Sequence, residues 1–258
     1  MINPTQLYLQ KCQTLLETVE QQESAIKKAA QWFARSIGSG RLVHLFGSGH
    51  SRIMVEEMWP RYGSFPGFHP IVELSLTFHN QVVGANGQRQ AMFLENVSGF
   101  ADRILRNFDL NSEDCALVIS SSGCNIVPIE IAEIFQAHHI KVVAVISREH
   151  SEKSTSKHPN GKKLSDFADL VLDTGAPVGD AMVYLPQLET PVSPGSTIGG
   201  VLLINSLKAE VAHLLTQAGK APKVLTAGAI VGPEKATALF EGAYDDHARR
   251  IAELYRNI

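Results

Sequence analysis

LVISSSGCNIVPIEIAE, residues 117–133, passes from an unbroken apolar run through three serines and a glycine straight into helical periodicity. The apolar run does not alternate, which suits a strand covered on both faces, and the helix that follows it is the crossover of a parallel sheet. The same order recurs along the chain. LVHLF (42–46) leads into GSGHS (47–51) and a helical IMVEEMWPRY (53–62); KVVAVIS (141–147) and DLVLD (169–173) each lead into a long polar loop. A weaker extended segment falls near 70–76. Upstream, Leu15, Leu16 and Val19, then Ile26, Ala30, Phe33 and Ile37, mark two helices before the first strand, stopped by Gly38 and Gly40. The expected fold is α/β, a doubly wound parallel sheet with N-terminal helices. Its expected parts are N-terminal helices over 1–40, a ligand-binding domain over 41–218 and a C-terminal extension over 219–258 that ends in an amphipathic helix.

With 258 residues, 44% of them hydrophobic, the chain can bury a large core. A net charge of −3 without a basic or acidic block leaves no footprint for nucleic acid or an anionic membrane, so a small-molecule partner is expected. Three cysteines, Cys12, Cys115 and Cys124, lack zinc-site spacing, and the start carries no charged leader before an apolar core. The uninterrupted apolar runs fall far short of the roughly 20 residues of a membrane span. A cytoplasmic protein without metal or cofactor is expected; the adjacent His138 and His139 read as surface residues.

The serines answer to a chemical need. A loop at a helix N-terminus presents unpaired N–H groups and the positive end of the helix dipole, and hydroxyls add donors without formal charge. In the central loop Ser120, Ser121 and Ser122 fill this role, Gly123 permits close approach, Asn125 is a competent N-cap and Pro128 falls in the first turn. GSGHS adds Ser48 and Ser51; PGSTIGG (194–200) adds Ser196 and Thr197 ahead of a late helix. Serine, glycine and asparagine also simply end strands and cap helices, but three such starts favour a phosphate cradle. The dinucleotide fingerprint fails at Arg52, and both the Walker ending and the nucleophile elbow are missing from the strand-to-helix turns.

GSGHS, SSSGCN, ADLVLDT and the late Ser-Thr pair together resemble the SIS (sugar isomerase) family over about residues 25–218. SKHPNGKKL, the GDA at 179–181 and VPIE resemble its poorly characterised phosphosugar-binding branch, related to the sedoheptulose-7-phosphate isomerases and the N-acetylmuramic acid 6-phosphate etherases. Asn125 stands where a hydroxyl is commoner. The resemblance implies a flavodoxin-like sheet of about five strands and a homodimer or homotetramer with the active site at a subunit interface. It also raises His158, Lys162 and Asp180, on the two long loops, to sugar contacts.

By match to the isomerases, Glu57 in VEEMWPRY becomes the base that moves a proton between carbons through an enediol, a task for a partly buried glutamate with a raised pKa. A Glu pair on an exposed helix side is the plain reading. The late-helix histidine of those isomerases has no counterpart: Asn205 occupies the matching position and His213 lies two turns on, on an apolar helix. His50, inside the first serine loop, is the preferred second group. The expected function is binding of a phosphorylated sugar and its aldose-ketose isomerisation; a non-catalytic phosphosugar sensor and a lactyl-eliminating etherase are the alternatives.

Overall fold

The computed structural model describes residues 3–77 and 87–256. Two helices come first, α1 (Pro4–Glu20) and α2 (Glu23–Gly38). Strand β1 (Val43–Gly47) is followed by a 3₁₀ turn and α3 (Arg52–Met58); β2 (Phe68–Pro70) by α4 (Leu74–Thr77), α5 (Gln88–Leu94) and α6 (Phe100–Leu105). Strand β3 (Cys115–Ile119) leads into α7 (Ile126–Ala137), β4 (Lys141–Ile146) into α8 (Arg148–Lys153), and β5 (Leu170–Asp173) into a hairpin of β6 (Ala181–Val183) and β7 (Val192–Pro194). Helix α9 (Ser196–Gln217), α10 (Gly228–Val231) and α11 (Pro233–Glu253) complete the chain.

The five strands pair in parallel in the order β2-β1-β3-β4-β5, a flavodoxin-like sheet as expected. The unbroken apolar runs follow from burial on both faces. Val43, Leu45, Leu117, Ile119, Val143 and Val145 point to the side covered by α2, α3 and α9. Phe46, Ala116, Val118, Val142 and Ala144 point to the side covered by α7. At the β5 edge the Gln22 amide takes the place of a strand: its Nε2 donates to the Asp173 carbonyl at 2.8 Å and its Oε1 accepts from the Asp173 N–H at 2.7 Å.

Register positions the site. Gly47 pairs with Ile119 and Ile119 with Val145, so the loops after β1, β3 and β4 leave one end of the sheet side by side. The chain moves from β1 outward to β2 and then back across to β3, which makes the β1/β3 crevice the topological switch point where such folds bind ligands.

Several elements differ from expectation. Helix α3 stops at Met58 because Trp59 is extended and Pro60 cannot continue the helix, so WPRY is not helical. The extended segment expected near 70–76 is a strand only at its start, Phe68–Pro70, and Leu74–Thr77 is a helical turn. In the C-terminal extension, whose last two residues lie outside the described ones, α11 buries Ala243, and Leu254 is buried just beyond its end. Tyr244 and His247 pack on the Trp59 ring, and Arg250 donates to the Ile37 and Arg41 carbonyls. Helix α9 is long and apolar enough by length and hydropathy to cross a membrane; here it packs on α1, α2 and α3.

Candidate functional site

The three hydroxyl-bearing loops meet around one cavity of about 560 Å³. From the first loop come Ser48, His50 and Ser51; from the second, Ser120, Ser121, Ser122 and Asn125; from the start of α9, Ser196 and Thr197, with Asp180 beside them. None of its described lining residues is a lysine or arginine. An anion entering it meets neutral donors and the N-terminus of α7, with the carboxylates Asp180 and Glu95 also in the lining.

Hydrogen bonding divides these residues by role. In the central loop, Ser120 Oγ accepts from the Gly123 N–H at 3.2 Å and Ser122 Oγ from the Cys124 N–H at 3.2 Å. Each hydroxyl spends a lone pair on shaping the loop and keeps its proton to donate. Gly123 itself is at φ +62° and lies behind the loop, its would-be Cβ 3.3 Å from Ile146, so it shapes the turn without lining the cavity. Asn125 sits at the N-cap position of α7, yet its side chain makes no cap bond. Its Nδ2 donates to Glu95 Oε1 at 2.8 Å and its Oδ1 accepts from Lys157 Nζ at 2.8 Å, so it is a bridge between elements. Ser48 donates to Glu95 Oε2 at 2.6 Å, which commits its single proton to a carboxylate.

At α9 a carboxylate already occupies the helix N-terminus. Asp180, at φ +69°, accepts from the Gly195 N–H at 3.0 Å, the Ser196 N–H at 2.6 Å and Ser196 Oγ at 2.8 Å. Negative charge there is stabilised by the helix dipole. Ser196 is therefore engaged, and Asp180 acts as its cap. Thr197 remains on the cavity side.

Besides Gly123, three residues expected at the site lie off the cavity lining. His158 Nδ1 lies 2.6 Å from Asn160 Oδ1, and Lys162 Nζ lies 5.0 Å over the Phe167 ring; neither lines the cavity. The 148–166 insert instead buttresses the serine loop from outside, through Lys157 N–H to the Cys124 carbonyl at 2.9 Å and Leu164 N–H to the Gly123 carbonyl at 2.8 Å. Glu57 also lies off the cavity lining. Burial pushes its carboxyl up, but Asn205 Nδ2 at 2.8 Å, Arg61 and Lys208 outweigh this and hold it below the ordinary range. The raised pKa expected of a base is not found there. His213, on the apolar helix, is exposed in a groove between α1 and α9.

The sequence did not single out Glu95, Gln88 and His150, which also line the cavity. His150 was hidden inside a polar insert; its Nδ1 accepts from the Gly179 N–H at 2.7 Å and so ties the insert to the β5–β6 loop.

Residues 7–147 match the SIS domain family, and the chain belongs to it. Within that class it belongs with the UPF0309 proteins. It is 33% identical over 250 residues to the UPF0309 protein of Geobacillus thermodenitrificans, covering 96% of this chain and 94% of that one. A UPF0309 protein of Listeria monocytogenes serotype 4b is 32% identical over 245 residues, covering 95% and 96%. Among solved structures, a phosphoheptose isomerase from Francisella tularensis superposes with a TM-score of 0.51 at 16% identity, over 80% of this chain and 95% of that one, a likeness of fold.

Proposed function

We propose that the protein binds a phosphorylated sugar in the serine cavity and interconverts its aldose and ketose forms. The observation that carries this reading is the convergence of three strand-to-helix loops on one cavity whose described lining offers hydroxyls and no cationic side chain. Phosphate would take the donors still open, Ser51, Ser120, Ser121, Ser122 and Thr197, together with the N-terminus of α7. Its volume lies within the roughly 300–1,000 Å³ of small-molecule sites. His50 also lines the cavity and would exchange protons with the sugar oxygens.

One observation favours a second reading, a non-catalytic phosphosugar sensor: the glutamate matched to the isomerase base is bound to Asn205 and Arg61 away from the cavity. Carbon chemistry separates the two. The first test is a thermal-shift panel of six- and seven-carbon sugar phosphates, their amino and N-acetyl forms, muramic acid 6-phosphate and the same sugars without phosphate. A ligand at about 100 Kd adds roughly 2.7 kcal/mol to the folded state. Stabilisation by a phosphosugar and not by its free sugar is the expected result, and exchange of its C–H proton with solvent marks the isomerase. Release of lactate from muramic acid 6-phosphate would mark elimination instead. No shift from any sugar phosphate would overturn the reading.

A further inference from the structure

Glu95 is a buried carboxylate just after α5, facing the serine cavity, and the phosphate cradle has no need of it. It joins two of the loops that bound the cavity, since Ser48 of the first donates to Oε2 and Asn125 of the second donates to Oε1. We infer that Glu95 is the proton-transfer residue of this cavity, moving a proton between adjacent carbons of a bound sugar phosphate. This rests on the phosphosugar reading above.

Geometry supports Glu95 over Glu57. Glu95 lies in the same cavity as the open serine donors and His50, whereas Glu57 is held by Asn205 and Arg61 outside it. Both oxygens of Glu95 are oriented by neutral partners, and a carboxylate retains further lone pairs toward the cavity. Lys157 reaches only as far as Asn125, so no cation bonds Glu95 directly among the bonds described. Burial accordingly raises the Glu95 carboxyl above its ordinary range against the opposing pull of Ser48 and Lys157, the direction that favours a base. The charged and titratable groups around it are Lys157, and His50, His150 and Asp180 across the cavity.

The step balances within the site. The carboxylate takes the proton from the carbon beside the carbonyl, and the C–H pair becomes the enediol double bond. The carbonyl π pair moves onto oxygen, which takes a proton from His50. Glu95 then returns its proton to the neighbouring carbon while the other oxygen gives one back to His50, so nothing external is consumed. If the carboxylate is only a tie between loops, removing its charge while keeping its shape leaves chemistry intact.

The test measures thermal shift and solvent-deuterium incorporation for the sugar phosphates of the panel, in wild type, Glu95→Gln and Glu95→Asp. Glu95→Gln is expected to keep the wild-type thermal shift and lose exchange by about 100-fold or more. Glu95→Asp is expected to exchange slowly, with the acid limb of its pH profile moved to lower pH. Exchange by Glu95→Gln within about threefold of wild type would overturn the proposal while leaving the binding reading intact. So would an unmoved acid limb in Glu95→Asp, which decides the matter if the amide variant does not fold. Wild type that binds but never exchanges also overturns it and identifies a sensor; wild type that binds no sugar phosphate overturns the phosphosugar reading itself.

Discussion

Two buried carboxylates titrate in opposite directions, and their partners explain why. Asp114 at the start of β3 would be pushed up by burial, yet the His44 imidazole 3.4 Å away and the two hydrogen bonds from Arg41 prevail and carry it from 3.8 down to about 2. Arg41 grips it with Nε at 2.9 Å and Nη2 at 2.8 Å, joining the starts of β1 and β3 far from the cavity. A carboxyl depressed on folding contributes stability that is present above its unfolded value and lost as pH falls through about 2. With nearly two pKa units at roughly 1.4 kcal/mol each, Asp114→Asn is expected to cost at least about 2 kcal/mol at pH 7 in urea unfolding, and much less near pH 2. Glu95 has the reverse sign: raised on folding, it makes stability decline as pH rises through its own value. Glu95→Gln should therefore flatten that decline and unfold at higher urea than wild type at pH 8, the mark of a site that holds a group at a cost to stability. At this scale the sequence shows which residues carry hydroxyls but not where each proton goes. Ser48 and Asn125 read as phosphate ligands until Glu95, 47 residues after the first and 30 before the second, is folded against them.

Elements were legible where their periodicity was long. Strands β1, β3, β4 and β5 are continuous apolar runs because both sheet faces are covered, and the serine loops could be placed because each directly follows such a strand. The β6–β7 hairpin has three residues per strand and an exposed β7, too short and too polar to carry a period. Helix α5, which brings Glu95 to the cavity, spans two turns with a single buried residue, Ala91, and so leaves no stripe to read. Glycines in α9 show how the elements are brought together. A Cβ on Gly199 would lie 1.9 Å from the Thr174 carbonyl oxygen, which lets α9 start against the end of β5. Gly199→Ala must push the helix off that backbone, at a cost of about 3 kcal/mol or more. The expected result is a lower urea midpoint together with weaker stabilisation by the panel's sugar phosphates, because Thr197 moves with the helix start. An unchanged midpoint would show that α9 can shift without cost.

On the scale of the whole molecule, the outstanding feature is apolar surface left on α9 and α1. Only 44% of the most apolar 18-residue window of α9 is buried within the chain. Beside it, Leu16, Leu202 and Ala209 help line a groove of about 500 Å³ whose rim carries Glu20 and Glu210. Contiguous apolar surface of this kind in water marks an interaction face. A second copy of the chain is the expected occupant, because a C2 pairing would lay the two α9 helices and their α1 neighbours against one another. Acidic rims facing each other oppose that pairing, and salt screens them over about 10 Å at 0.1 M. Sedimentation equilibrium is therefore expected to show a dimer or larger species whose dissociation weakens as salt rises from 0.05 to about 0.3 M. Ala209 is exposed, so Ala209→Glu leaves the monomer fold alone while adding a charge to the lining of the groove. That variant should sediment as a monomer with a wild-type melting temperature. A wild-type monomer at all salt concentrations, or an Ala209→Glu protein of unchanged mass, would place the self-association surface elsewhere or remove it.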